Sequence, residues 1–175
     1  QNSTATIYVN GIGKTSFTAG NIAWNTADKL TIADLRPTRN ISFNGIFSAP
    51  FTLTANVDRN ESTLSVPAFN PLNFLNIPSG ATHFRIINAL SVISDFVFNP
   101  ATGAYEPAEP MLNETSNISY SPYTPVDAVT TLIDVVATLP DAPTITTNVA
   151  VLGSIGIEFY QQVGVNYYLF NAGNA

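Results

Sequence analysis

The chain has one histidine, His83 in "ATHFRII", and no cysteine. A histidine acts as a general base or a metal ligand only with partners, and a catalytic triad needs a nucleophile and an acid placed on either side of the ring. Nothing adjacent to His83 supplies them, so the plainer reading is a strand histidine that packs and hydrogen-bonds within its sheet. Asp58, Asn60 and Glu61 in "DRNE" crowd oxygens together as a calcium loop does. They lack the D-x-[DN]-x-[DN]-G spacing that makes such a loop specific, and a solvated turn in which Asp58 and Asn60 hydrogen-bond their own backbone is the favoured reading. Glu106 and Glu109 in "YEPAEP" are the close pair of glutamates. A glycosidase needs two carboxylates facing each other across a substrate, and a pair strung between prolines is not expected to hold that geometry. No catalytic residue, metal ligand or cofactor site is assigned, and the expectation is a protein that is not an enzyme.

Aromatic side chains offer more. Tyr105, Tyr120 and Tyr123 lie in residues 99–125, a stretch holding five prolines, at 100, 107, 110, 122 and 125. Aromatic faces on loops are a common means of holding sugars or protein partners, so these three are the candidate ligand residues, against the plainer reading that they cover the core. Asn-x-Ser/Thr sequons begin at Asn2, Asn40, Asn60, Asn113 and Asn117. With 19 Asn and 33 Ser plus Thr, composition alone gives about 3.6 such triplets. They are glycosylation candidates without enrichment.

The elements that must carry these residues alternate with period two: "TATIYV" (4–9), "NISFNGIF" (40–47), "FTLTANV" (51–57), "STLSVPAF" (62–69), "HFRIINAL" (83–90), "DFVF" (95–98), "TTLIDVVATL" (130–139), "TTNVAVL" (146–152) and a closing hairpin, "GIEFYQQVGVNYYLF" (156–170). Short strands bounded by Pro, Gly and Asn, with no long 3.6-residue period, predict an all-β antiparallel sandwich, Ig-like or jelly-roll-like, with few or no helices. Residues 51–66 read as a hairpin around "NVDRNES". "NTADKLTIADL" (25–35) reads as strand ahead of helix, and "PLNFLNI" (71–77) as a single helical turn. In the closing hairpin Ile157, Phe159, Gln161 and Val163 share one face, expected to be buried, and Glu158, Tyr160 and Gln162 the other. The division expected is an N-terminal strand or arm region over 1–42 and a β-sandwich over 43–175, forming one compact unit.

Hydrophobic residues make up 45% of the 175 and charged residues 10%, against roughly 25% charged in an ordinary soluble domain. Asn, Thr and Ser must finish the surface, as in extracellular β-proteins. The net charge of -6 and six scattered basic residues leave nothing to neutralise a run of phosphates, which excludes a nucleic-acid role. No apolar run reaches a membrane span. The start, "QNSTATIYVN", has neither initiator Met nor signal-peptide pattern, and a processed N-terminus on an extracellular or cell-surface protein is expected.

Three stretches, "FTLTANVDRNESTLSVPAF", "THFRIINALSVISDF" and "LGSIGIEFYQQVGVNYYLFNAG", resemble in combination an uncharacterised protein family of Bacteroidetes with an all-β C-terminal domain. The resemblance covers about residues 43–173. Its motifs are strand and turn signatures, so it implies a shared sandwich and transfers no site residue. The basic N-terminal region of that family has no counterpart in residues 1–42.

The closing ribbon shows no Lys, Pro or bulge to guard its edge, and the Pro-free segment Thr4, Ala5, Thr6, Ile7, Tyr8, Val9 is β-competent. The first expectation is therefore a structural subunit of a filament or pilus-like assembly, a homo-oligomer or polymer joined by β-strand complementation through that segment. The alternative is an adhesin or carbohydrate-binding module that takes a glycan or protein ligand on the 99–125 loop. A phage virion decoration protein is a variant of the first.

Overall fold

The computed structural model describes residues 43–170, the side chain of Asn44 apart, and nearer the N-terminus the backbone of Ile7–Val9, Ile12–Lys14 and Leu30–Thr31. These last three are strands β1, β2 and β3, paired antiparallel in the order β2-β1-β3. Of the segment expected to reach a neighbouring subunit, Tyr8 and Val9 have backbone ladder partners on both sides within the chain, and Ile7 has Lys14 on one side. Thr4, Ala5, Thr6, Asn2 and Asn40 lie outside the described residues.

The strand expected over 40–47 is instead a helical turn, α1 (Phe43–Ile46). Phe43, Ile46 and Phe47 stand at i, i+3 and i+4, a spacing that sends all three to one side of a helix. The Phe47 amide closes the turn onto the Phe43 carbonyl at 2.8 Å, and the two rings meet at 5.4 Å. β4 (Thr52–Ala55) and β5 (Glu61–Val66) form the hairpin expected there. The short helix α2 (Pro71–Phe74) also occurs where expected: Asn70 caps it by accepting from the Leu72 amide, and Pro71 fits the first turn because its missing N–H has no partner to lose.

β6 (His83–Ser94) is the spine, with strict alternation of half-buried and buried residues over its 12 positions. β7 (Phe96–Asn99) and β8 (Ala104–Pro107) pair as a separate ribbon. β9 (Ser116–Tyr120) and β10 (Thr124–Pro125) both pair with β6. Residues 99–125 are therefore not one irregular excursion but hold three strands. Their prolines sit where a missing donor costs little, Pro107 at the end of a two-stranded ribbon and Pro125 on a sheet edge.

β11 (Ile133–Thr138) pairs with β5, and β12 (Val149–Val163) joins two expected strands into one of 15 residues, paired with β6 through 12 register positions and with β13 (Asn166–Leu169) at its end. All sheets are antiparallel, so the all-β expectation holds. The five-stranded sheet of β10, β6, β12, β13 and β9 and the three-stranded sheet β11-β5-β4 bury a common core, in which Phe84, Ile86 and Phe159 from the first meet Leu64, Val66, Ile133 and Val135 from the second.

One buried polar group ties the sheets. Asn88, fully inaccessible, points inward from β6; its Nδ2 donates to Val135 O at 2.8 Å and Ser62 O at 3.0 Å, while its Oδ1 accepts from Ser62 Oγ at 3.1 Å. One side chain on the first sheet so engages both principal strands of the second.

A glycine inside β12 answers to the facing sheet. At Gly153 a Cβ would lie 3.0 Å from Leu53 Cδ2, so this glycine gives room to the facing sheet and does not break the strand. In an open strand position Gly→Val is stabilising through β-propensity. Here Gly153→Val should instead cost about 1–3 kcal/mol by overpacking, and Leu53→Ala in the same chain should recover part of it. Urea midpoints at unchanged m-value measure both.

Candidate functional site

Alternation along β6 turns Phe84 and Ile86 inward and leaves His83 and Arg85 on the opposite, outer face. Pairing then brings the site together. Tyr160 stands opposite His83 and Glu158 opposite Arg85 on β12; Tyr120 stands opposite Ile87 on β9; Tyr167, opposite Gln162 on β13, falls on the same face. Tyr123 precedes β10 and is carried over this face by the segment Ser121–Thr124.

That segment is anchored. Buried Ser121 donates its amide to Ile86 O at 2.9 Å, and its Oγ accepts from the Ile86 amide at 2.9 Å. Its own carbonyl receives Arg85 Nε–H at 2.7 Å. Tyr123 stacks on Tyr167 with centroids 3.9 Å apart and planes at 4°, and meets Tyr160 edge-on at 4.9 Å. His83 meets Tyr167 edge-on at 4.9 Å, and its Nδ1 lies 3.0 Å from Thr82 Oγ1. The guanidinium of Arg85 lies over two rings, 4.5 Å from the Tyr120 centroid and 4.8 Å from that of Tyr123, within cation–π range. Tyr120 remains 41% exposed and Tyr123 38%.

Tyr160 is buried, and its phenol donates to Glu158 Oε2 at 2.5 Å. Burial first, then the bond to and the charge of Glu158, push the phenol up to about 12. It is therefore a fixed neutral donor near neutral pH. Glu158, held by it, is an exposed-side acceptor beside the tyrosines. The arrangement supplies flat apolar faces, one cation and one carboxylate on a rigid sheet. That is equipment for holding a ligand that has both apolar faces and polar edges.

Of the three tyrosines singled out in the sequence, the fold brings Tyr120 and Tyr123 together and places Tyr105 elsewhere, on the β7–β8 ribbon against Phe98 at 5.6 Å. The closing hairpin keeps Phe159 buried as expected, whereas Gln161 and Val163 are exposed because β12 has run past the core by then. Tyr160 and Tyr167 join the site through register, for which the only sequence signal was the polar and aromatic face of that hairpin.

The other chemical candidates serve the framework. Glu106 accepts from Asn99 Nδ2 at 2.8 Å and Thr102 Oγ1 at 2.6 Å, bonds that hold its carboxyl below the usual range. Glu109 accepts from Thr146 Oγ1 at 3.0 Å and Asn148 Nδ2 at 3.2 Å. Each glutamate binds its own set of partners. In the 56–61 turn, Asn56 Oδ1 accepts from the amides of Asn60 and Glu61, Glu61 accepts from Thr138, and Arg59 takes φ 59° while donating to Thr146 O at 2.7 Å. Among the described residues no three His, Cys, Asp or Glu converge as a metal site. At the sequons, Asn60 Nδ2 donates to Pro143 O and Asn117 Nδ2 to Thr138 O, and Asn113 Oδ1 accepts from the Ser94 amide. All three side chains have structural work. No helix among the described residues is long and apolar enough to cross a membrane.

Set against protein families, curated proteins and solved structures, the chain has no significant match.

Proposed function

We propose that the protein is a non-enzymatic carbohydrate-binding module of a cell-surface or extracellular protein, an adhesin in kind, with the outer face around Tyr120 and Tyr123 as its binding surface. The observation that carries this is the pair of part-exposed tyrosines held by an arginine on a rigid sheet. Sugar rings present apolar C–H faces and hydroxyl edges, which suit tyrosine faces beside a fixed carboxylate and guanidinium. The charge-poor, Asn- and Thr-rich composition fits an exterior surface, and the resemblance of residues 43–173 to the Bacteroidetes family belongs to the same proposal. A glycan array probed with the purified chain is the test, and retention on no glycan at all would refute the reading.

A second reading, a structural subunit of a filament joined by strand complementation, with virion decoration as its variant, has one observation in its favour. Val149–Glu158 of β12 have ladder partners on the β6 side only among the described residues, without Pro or Lys to guard the other edge. β3 comes within 8 Å of β12 between Cα atoms, so one N-terminal strand lies beside β12. Negative-stain microscopy with light scattering should then show filaments or large defined oligomers that disappear when residues 1–10 are deleted. Assembly that survives the deletion ends this reading.

A further inference from the structure

We infer that Arg85 is an anion receptor and that the glycan held by this face is an acidic one, its carboxylate bound by the arginine while a sugar ring lies against the tyrosines. This rests on the carbohydrate-binding reading and names the charge of the ligand. Arg85 is half-buried. Its Nε–H donates to Ser121 O at 2.7 Å, and the rings of Tyr120 and Tyr123 at 4.5 and 4.8 Å fix the plane of the group. Its Nη nitrogens have neither a hydrogen-bond nor an ion-pair partner among the described residues.

A part-buried cation ordinarily finds a counter-charge. The acid opposite it in register, Glu158, is instead bonded to the Tyr160 phenol. What is left is a fork of N–H donors, already held in place, with the shape that binds a carboxylate through two parallel bonds. Pre-organisation lowers the entropic cost of using it. Long-range attraction does not contribute, since the chain carries a net charge of -6, so the recognition is local and short-ranged. Glu158 is the group on this face that works against an anion. Removing its charge should therefore strengthen binding of an acidic ligand.

The experiment is an array of uronic-acid, sialic-acid and neutral oligosaccharides, followed by calorimetry with the best acidic binder and its methyl ester. The ester keeps the ring faces and loses the charge. The acid should bind about tenfold or more tightly than the ester, the size of one charge-assisted paired contact. Arg85→Gln should reduce the acid to the level of the ester, and Glu158→Gln should tighten the acid. If Arg85→Gln does not fold, the comparison of acid with ester and the Glu158→Gln variant decide the matter. Equal affinity for acid and ester overturns the role of Arg85 and leaves the carbohydrate reading standing. Binding to no glycan overturns both.

Discussion

Tyr123→Ala should weaken glycan binding by about 10- to 100-fold while lowering stability by no more than about 1 kcal/mol. Two contributions make up the loss. The first is the ring itself: an aromatic contact is worth roughly 0.5–1.5 kcal/mol beyond the area it covers, and 1.4 kcal/mol is a factor of ten in affinity. The second is order. Tyr123 stacks on Tyr167 and covers Arg85, so its removal frees Tyr167 and leaves Arg85 to Ser121 O and Tyr120 alone, and a ligand must then order them again at an entropic cost. Stability changes little because the ring is 38% exposed and the backbone beside it stays anchored by Ser121. Tyr105→Ala is the control. It lies on the β7–β8 ribbon with Phe98 and should leave binding unchanged. Calorimetry with the best binder from the array, beside a thermal melt, measures both effects, and a Tyr123→Ala protein that binds as well as the parent would remove the aromatic face from consideration.

Asn88→Asp should produce the largest stability loss, about 3–5 kcal/mol at pH 7, in the range seen when a buried charge is left without compensation. The amide donates to two carbonyls, Ser62 O and Val135 O. A carboxylate has no donor to offer and sets its charge against both oxygens. The pH dependence follows. Burial and repulsion raise the folded-state pKa of such an aspartyl above its unfolded value of about 3.9. The penalty is smallest below that unfolded value and grows as pH rises from it to the folded pKa, above which it is constant. Urea unfolding at pH 3.5 and pH 7 should therefore bring the variant closer to the parent at the lower pH. Asn88→Ala, which leaves the carbonyls and Ser62 Oγ without this partner but adds no charge, should cost about 2 kcal/mol and show no such dependence. A variant whose loss is the same at both pH values would contradict a buried carboxylate at this position.

These two residues show different depths of legibility in the sequence. Tyr123 is visible as an aromatic in a proline-rich stretch, yet its partners are not: Tyr160 and Tyr167 lie far along the chain and reach it only through the pairing of β6 with β12 and β12 with β13. Tyr105, equally visible, goes to another ribbon because β8 pairs with β7 and not with β6. Asn88 interrupts an apolar alternation and shows its purpose only once Ser62 and Val135 face it across the core.

The sequence by itself determined what is local. Period-two alternation set the all-β class and the face each residue of β6 presents, the Asn70–Pro71 pair placed α2, and "NVDRNES" placed the first hairpin, since backbone propensity and capping act within a few residues. The tertiary structure decided everything that depends on a distant partner. Phe43, Ile46 and Phe47 became a helical turn because together they complete the core; Gly153 lies inside a strand because β6 pairs through it, and Leu53 takes the space a side chain there would fill; and the tyrosine and arginine face exists because register, fixed by burial of Phe84, Ile86 and Phe159, aligns strands from three parts of the chain. Alternation states which side a residue faces, and only pairing states what stands next to it.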